Sequence, residues 1–164
     1  MPVLNRLRSR ASGFTIIELV ITVAIVGLLA SAALPLASMA IRREKESDLR
    51  AALQQIRTAI DAYKQAAEQG RIVVKADKTG YPENLQLLYE GVEDAGSVNK
   101  VKIYFLRRLP RDPLFPDATA APADTWGLRS YASPPENPQP GDDVFDVYSL
   151  ATGKGLNGVD YRDW

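Results

Sequence analysis

Residues 13–41 read GFTIIELVITVAIVGLLASAALPLASMAI, and within them only Glu18 carries an ionisable side chain. About 20 apolar residues in helical form cross a bilayer core, so this stretch is long enough to do so. On its N-terminal side lies MPVLNRLRSRAS, which holds Arg6, Arg8 and Arg10 and no acid. Positive charge on one flank predicts that this end stays in the cytoplasm and that the rest of the chain lies across the membrane. Three readings fit so far. One is a cleaved secretory signal with Ala30-Ser31-Ala32 as its small-residue cut site. Another is an uncleaved anchor. The third is a signal cut in front of the apolar run. Glu18 favours the third, because a carboxylate inside a membrane segment costs about 2.5–3.5 kcal/mol on insertion scales and such residues are usually functional. Placement of Glu18 at the headgroup boundary is the bland explanation.

Gly13-Phe14-Thr15-Ile16-Ile17-Glu18 resembles the processing site of class III signal peptides, those of type IV pilins and type II secretion pseudopilins. The resemblance implies a cut between Gly13 and Phe14 by a prepilin peptidase, which also methylates the new amine. Loss of three arginines would leave 17 basic and 20 acidic side chains, a net charge of −3. Cleavage would place an ammonium at Phe14, at the edge of the bilayer. Opposite charges attract strongly in a low dielectric. One turn separates Phe14 from Glu18, so a pair within one chain is open. The family resemblance implies a pair between subunits, with Phe14, Thr15 and Glu18 as the assembly residues. A buried charge pair is a poor source of stability but a good register device.

Gly27 and Pro35 weaken the apolar helix. Both residues are also common in membrane helices. The competing readings are simple tolerance and a stretch that bends or unwinds when subunits pack. Pro35 matches the position of a proline that recurs in the family.

From Arg42 the charges are mixed, as on a solvated helix. Leu49, Ala52, Leu53, Ile56, Ala59, Ile60, Tyr63 and Ala67 recur in steps of three and four, which puts them on one face. Gly70 is a C-terminal stop. The pattern predicts one nearly continuous helix over residues 14–69, roughly 80 Å long at 1.5 Å per residue. A short coiled coil is the competing reading of the seam. The domains expected are a leader (1–13), a membrane and filament-core helix (14–41), an amphipathic helix (42–70) and a globular domain (71–164).

The globular part must cover the apolar stripe. Thr79-Gly80-Tyr81-Pro82 reads as a turn, with Pro82 opening a short helix that ends at Gly91. Residues 92–100 read as polar loop, residues 101–106 as a short strand or a packing segment, and residues 114–125 as a low-complexity loop. Residues 128–133 and 144–150 read as strands joined by the loop PPENPQPGDD. In the second, Val144, Asp146, Tyr148 and Leu150 share one face, and Phe145, Val147 and Ser149 share the other. Two strands alone are marginal, so the long helix is a necessary partner. The two aromatics in GVDYRDW predict a docked tail. The fold class expected is α+β, a long N-terminal helix packed on a small C-terminal antiparallel sheet.

The order of motifs Gly80-Tyr81-Pro82, Tyr104-Phe105-Leu106-Arg107-Arg108-Leu109-Pro110-Arg111-Asp112-Pro113, Trp126-Gly127, Phe145-Asp146-Val147-Tyr148-Ser149 and Trp164 is similar to that of major pseudopilins of type II secretion. An insertion separates Asp112-Pro113 from Trp126-Gly127, which are adjacent in the usual pattern. The resemblance also implies calcium in the loop after the second strand. Here that loop, ATGKGLNG, has no aspartate and carries Lys154; only Asp160 matches a ligand position. A turn held by side-chain hydrogen bonds competes with a calcium site.

Composition narrows the function. The 164 residues hold 20 basic and 20 acidic side chains, which argues against binding nucleic acid through bulk charge. With no cysteine and no histidine, thiolate chemistry, disulfides and the commonest general base are excluded. No phosphate loop or metal-ligand cluster appears, so an enzyme is not expected; Asp142, Asp143 and Asp146 are the one conceivable acid group. The leading reading is a structural subunit of a type II secretion pseudopilus, stored in the inner membrane with its C-terminal domain in the periplasm. Its partners would be further copies of itself, other pseudopilins, the inner-membrane assembly platform and the prepilin peptidase/methyltransferase. A major or minor type IV pilin is the near alternative, and the lack of a disulfide-closed C-terminal loop weighs against it. A single-pass anchored binding module, using Tyr81, Tyr89, Trp126 and Tyr131, is the alternative of a different class; such aromatics are more often core.

Overall fold

The computed structural model describes residues 13–164, so of the expected leader only Gly13 is seen and residues 1–12 lie outside the described residues. The chain divides into two units at Ile41/Arg42, where the apolar run gives way to charge. Helix α1, Ile16–Glu68, runs through the boundary.

The first unit is the apolar start of α1. Its large side chains, among the described residues, are exposed: Phe14 is 83% exposed, Ile16 84% and Leu28 73%. This segment is long and apolar enough to cross a membrane. Its hydroxyls turn back onto the backbone, Thr22 onto the Leu19 carbonyl, Ser31 onto Leu28 and Ser38 onto Pro35. That is how polar groups are satisfied where no water reaches them.

The second unit is built on the other half of α1. Leu49, Leu53, Ile56, Ile60 and Tyr63 are buried, with Ala52, Ala59 and Ala66 between them. Ala67, expected in the seam, only borders the core, and Ala66 takes the buried place. Helix α1 ends in a Schellman motif. The Gly70 N–H donates to the Ala67 carbonyl and the Arg71 N–H to Ala66, with Gly70 at φ 72°.

The remaining elements are short. Helix α2 spans Gln86–Glu90, followed by β1 (Val92–Glu93) and β2 (Lys102–Ile103), which pair antiparallel. A 3₁₀ turn over Pro122–Thr125 leads into β3 (Trp126–Arg129), which pairs antiparallel with β4 (Asp146–Ser149). A last 3₁₀ turn covers Tyr161–Asp163. This is the expected α+β architecture, with two separate two-stranded ladders in place of one sheet.

Four local expectations need correction. Pro82 does not open α2. It is buried and its carbonyl accepts the Val144 N–H, so the helix starts four residues later, where Asn84 accepts the Leu87 N–H. Residues 92–100 are not all loop, since Val92 and Glu93 form β1. Of residues 101–106, only Lys102 and Ile103 are strand. The β3–β4 ladder begins earlier and ends sooner than residues 128–133 suggest. Past Arg129, the Ser130 N–H turns to the Gln139 carbonyl and the Tyr131 N–H to the Asp143 carboxylate, which takes the backbone out of the sheet.

Val147 and Ser149 are buried, Val144 just before the strand is buried as well, and Leu150 is exposed. Gly127 lies opposite Tyr148, and a Cβ there would sit 2.2 Å from its ring, so only glycine admits this cross-strand packing. The tail docks. Trp164 lies under Arg50, at 4.2 Å from guanidinium to ring, and its carbonyl accepts from Arg57.

Candidate functional site

The head of α1 is the first candidate site. Thr15 is the residue before the helix, and its Oγ1 accepts the Glu18 N–H at 3.2 Å. The Glu18 carboxylate reaches back to the Thr15 N–H and hydroxyl, both at 3.1 Å. This is a reciprocal capping box. The Thr-x-x-Glu spacing of Thr15 and Glu18 is the sequence signature of this box. The box engages Glu18 through neutral donors, so among the described residues its negative charge has no cationic partner. Gly27 and Pro35 lie within the unbroken α1, and a Cβ at Gly27 would meet nothing within 4 Å. Packing inside the chain therefore does not require glycine there.

The second site is the loop after β4, which the resemblance marks for calcium. Asp160 Oδ2 lies 3.9 Å from Lys154 Nζ, and the two residues also pair as an isolated antiparallel bridge. Three of the loop's carbonyls accept backbone N–H groups: Gly153 from Tyr161, Gly155 from Gly158, and Val159 from Gly155. Lys154 O accepts from the Arg42 guanidinium. Among the described residues no three acidic side chains come together. A calcium ion takes six to eight oxygens, usually with several carboxylates. This donor set does not fit one.

Glu46, which sequence reasoning left among the solvated charges, lies beside this loop and is 2% exposed. Its Oε1 accepts from the Leu156 N–H at 2.9 Å, the Tyr161 hydroxyl at 2.9 Å and Arg42 Nε at 3.3 Å. Arg42 Nε also donates to the Tyr161 oxygen at 3.2 Å. Contact with Tyr161 first, and with Glu46 second, raises the Arg42 pKa above its usual value. Nothing local marks Glu46, because Tyr161 stands 115 positions away.

The three acids of a conceivable acid group are each held separately. Asp142 is exposed beside Lys78. Asp143 is buried and accepts from Thr79 and the Tyr131 N–H. Asp146 pairs with Arg57 at 2.8 Å and Arg129 at 3.2 Å. Of the four aromatics of the binding-module alternative, only Tyr81 and Tyr131 come together. Trp126 is core and donates to the Pro110 carbonyl, while Tyr81 and Tyr89 are half-buried. Tyr131 is exposed and stacks on Tyr81 with centroids 5.7 Å apart. Burial raises the phenol pKa of Tyr81, and burial with the nearby Glu83 raises that of Tyr63.

Residues 8–34 match the family model described as the prokaryotic N-terminal methylation motif. The match supports a type IV pilin-like protein. It points to a structural subunit, to processing by a peptidase and to anchoring in a membrane. No curated protein and no solved structure matches the chain.

The β1–β2 ladder supplies a pH test. Arg71 Nη2 lies 2.5 Å from Asp94 Oδ2, and this bond, with help from the Gly96 N–H, holds the Asp94 carboxyl below the usual carboxylate range. A depressed folded pKa gives stability that is complete above the unfolded value of about 4 and is lost as pH falls through the folded value. Amide exchange over residues 92–103 is expected to quicken in that acid window, and Arg71→Ala to remove the acid response. An acid response that survives in Arg71→Ala would assign it to another carboxylate.

Proposed function

We propose that this chain is a subunit of a type II secretion pseudopilus. A prepilin peptidase/methyltransferase cuts between Gly13 and Phe14 and methylates Phe14. The subunit waits in the inner membrane with its N-terminus cytoplasmic and residues 71–164 in the periplasm. It then joins further copies of itself, with other pseudopilins and the assembly platform, in a periplasmic filament whose core is residues 14–41. Glu18 pairs with the Phe14 amine of a neighbour, Thr15 orients it, and the Gly27–Pro35 stretch gives the helix the freedom to adjust.

The match over residues 8–34 to the methylation motif carries this reading. The choice of a secretion filament rests on the order of the C-terminal motifs and on the absence of cysteine from the sequence. Intact mass and N-terminal sequencing of the protein from its native membrane test the processing: the expected chain starts at methylated Phe14. Gly13→Val is expected to leave the precursor uncut, seen as an unshifted band. A mature start at Ala33, or an intact leader, would overturn the filament reading. Deletion in the producing strain is expected to trap exported enzymes in the periplasm. Normal export with loss of surface fibres would make the chain a type IV pilin.

A further inference from the structure

We propose that the loop over residues 151–160 is closed by a cation carried on the chain itself, the Arg42 guanidinium held by Glu46 and Tyr161, and that this closure needs no divalent metal. The inference does not depend on which filament the chain builds.

The geometry has the parts that an ion would otherwise supply. A bound cation draws loop oxygens together and brings them to a carboxylate. Here Arg42 Nη2 takes the Lys154 carbonyl, while Nε takes the Tyr161 oxygen and Glu46 Oε1. Glu46 Oε1 takes the Leu156 N–H, so one carboxylate oxygen receives donors from the helix, the loop and the closing 3₁₀ turn. Arg42 and Glu46 are one helical turn apart on α1, which presents them to the loop as a unit. The Lys154 ammonium, 3.9 Å from Asp160 Oδ2, adds a second positive charge beside the one loop acid that matches a ligand position. A divalent ion at Asp160 would have to displace both.

Below the clasp the loop is tied by its own backbone. Gly155 donates to Val159 at 2.8 Å and accepts from Gly158 at 2.9 Å. The Trp164 ring then covers Gly155 so closely that a Cβ there would sit 2.2 Å from it. Removal of one partner of a buried, charged hydrogen-bond group leaves the others unsatisfied, so the loop should open locally without global unfolding.

The Lys154–Gly155 bond is a tryptic site inside the closed loop, and its cleavage reports the opening. The experiment is limited trypsinolysis of the full chain in detergent micelles, followed by mass spectrometry, in calcium chloride and in EDTA. The wild type is expected to resist equally in both. Glu46→Gln and Arg42→Gln are expected to be cut at Lys154 roughly tenfold faster or more, again regardless of calcium. Tyr161→Phe keeps the buried ring and removes one hydroxyl; it is expected to move the same way by a smaller factor. It keeps the test decisive if the charge variants fail to fold. Calcium protection of the wild type that Asp160→Asn abolishes would make this loop a metal site and overturn the proposal. Wild-type cleavage rates in both Glu46→Gln and Tyr161→Phe would overturn it too.

Discussion

Glu18→Ala is expected to be processed at Gly13 like the wild type and to yield almost no filament. The carboxylate sits in a segment that otherwise carries no ionisable group. At membrane depth its cost is about 2.5–3.5 kcal/mol, and among the described residues its side-chain contacts are the Thr15 N–H and hydroxyl, both neutral. Pairing with a neighbour's Phe14 ammonium would compensate the charge and set the axial position of one subunit against the next. Loss of one partner of a buried pair costs about 3–5 kcal/mol, which lowers each assembly step by roughly 10²–10⁴-fold. Alanine also removes the capping box, worth about 1 kcal/mol, so two variants must separate the causes. Glu18→Gln keeps an acceptor for Thr15 but no charge, and it should fail to assemble like Glu18→Ala. Thr15→Ala loses the box but keeps the charge, and it should still form filaments at reduced yield. The readout is the sheared filament fraction beside the processed band. Filaments from Glu18→Gln at wild-type level would reduce Glu18 to a helix cap and end the charge-pair mechanism.

What could be read in the sequence follows from how local each signal is. The long helix was legible because an apolar run, a 3.6-residue seam from Leu49 to Tyr63 and a stop at Gly70 agree over more than fifty positions. The capping box is equally local, since Thr15 and Glu18 are three residues apart. The two-residue strands β1 and β2 were not, because two residues establish no period. Pro82 misled for a related reason. Proline suits a helix start, yet its carbonyl is claimed by Val144, sixty-two positions on, and long-range pairing overrode the local preference. Glu46 and Arg57 belong to the same class. Each reads as a solvent-facing charge on a mixed helix, and each finds its partners only once the C-terminal segment folds back. Glu46 meets Leu156 and Tyr161, and Arg57 meets Asp146 and the Val147 and Trp164 carbonyls. Charge patterning along a helix says which positions tolerate water, and nothing about which of them a distant loop will cover.

Asp112→Ala is expected to be the most destabilising single substitution of a polar side chain in the second unit. Asp112 is fully buried where residues 113–125 leave the fold, and the same point is where they return. Its N–H donates to Thr125 Oγ1 at 3.1 Å, its Oδ1 accepts the Leu114 N–H at 2.7 Å, and its Oδ2 accepts the Ser149 hydroxyl at 2.5 Å. Trp126 closes the junction from the other side through its indole bond to the Pro110 carbonyl, 2.9 Å long. The insertion that separates Asp112-Pro113 from Trp126-Gly127 in sequence therefore leaves the two motifs side by side in space. The extra residues loop outward, tied by Arg111 to the Ala120 and Asp117 carbonyls. Alanine at 112 strands two donors, the part-buried Leu114 N–H and the buried Ser149 hydroxyl. At about 1–3 kcal/mol for each group left unpaired, the loss is about 2–6 kcal/mol. Total stability of a domain is about 5–15 kcal/mol, so Tm should fall on the order of 10–20 °C by circular dichroism. Asp112→Asn retains an acceptor for Leu114, while the Ser149 hydroxyl must turn to accept, and it should lose markedly less. Equal losses in the two variants would show that volume, and not the paired acceptors of the carboxylate, is what the junction needs. Ser149→Ala leaves Asp112 Oδ2 and the Ala151 N–H, which donates to Ser149 Oγ at 3.0 Å, without partners, while Asp112 Oδ1 still holds the Leu114 N–H; its loss is expected to be of the same order.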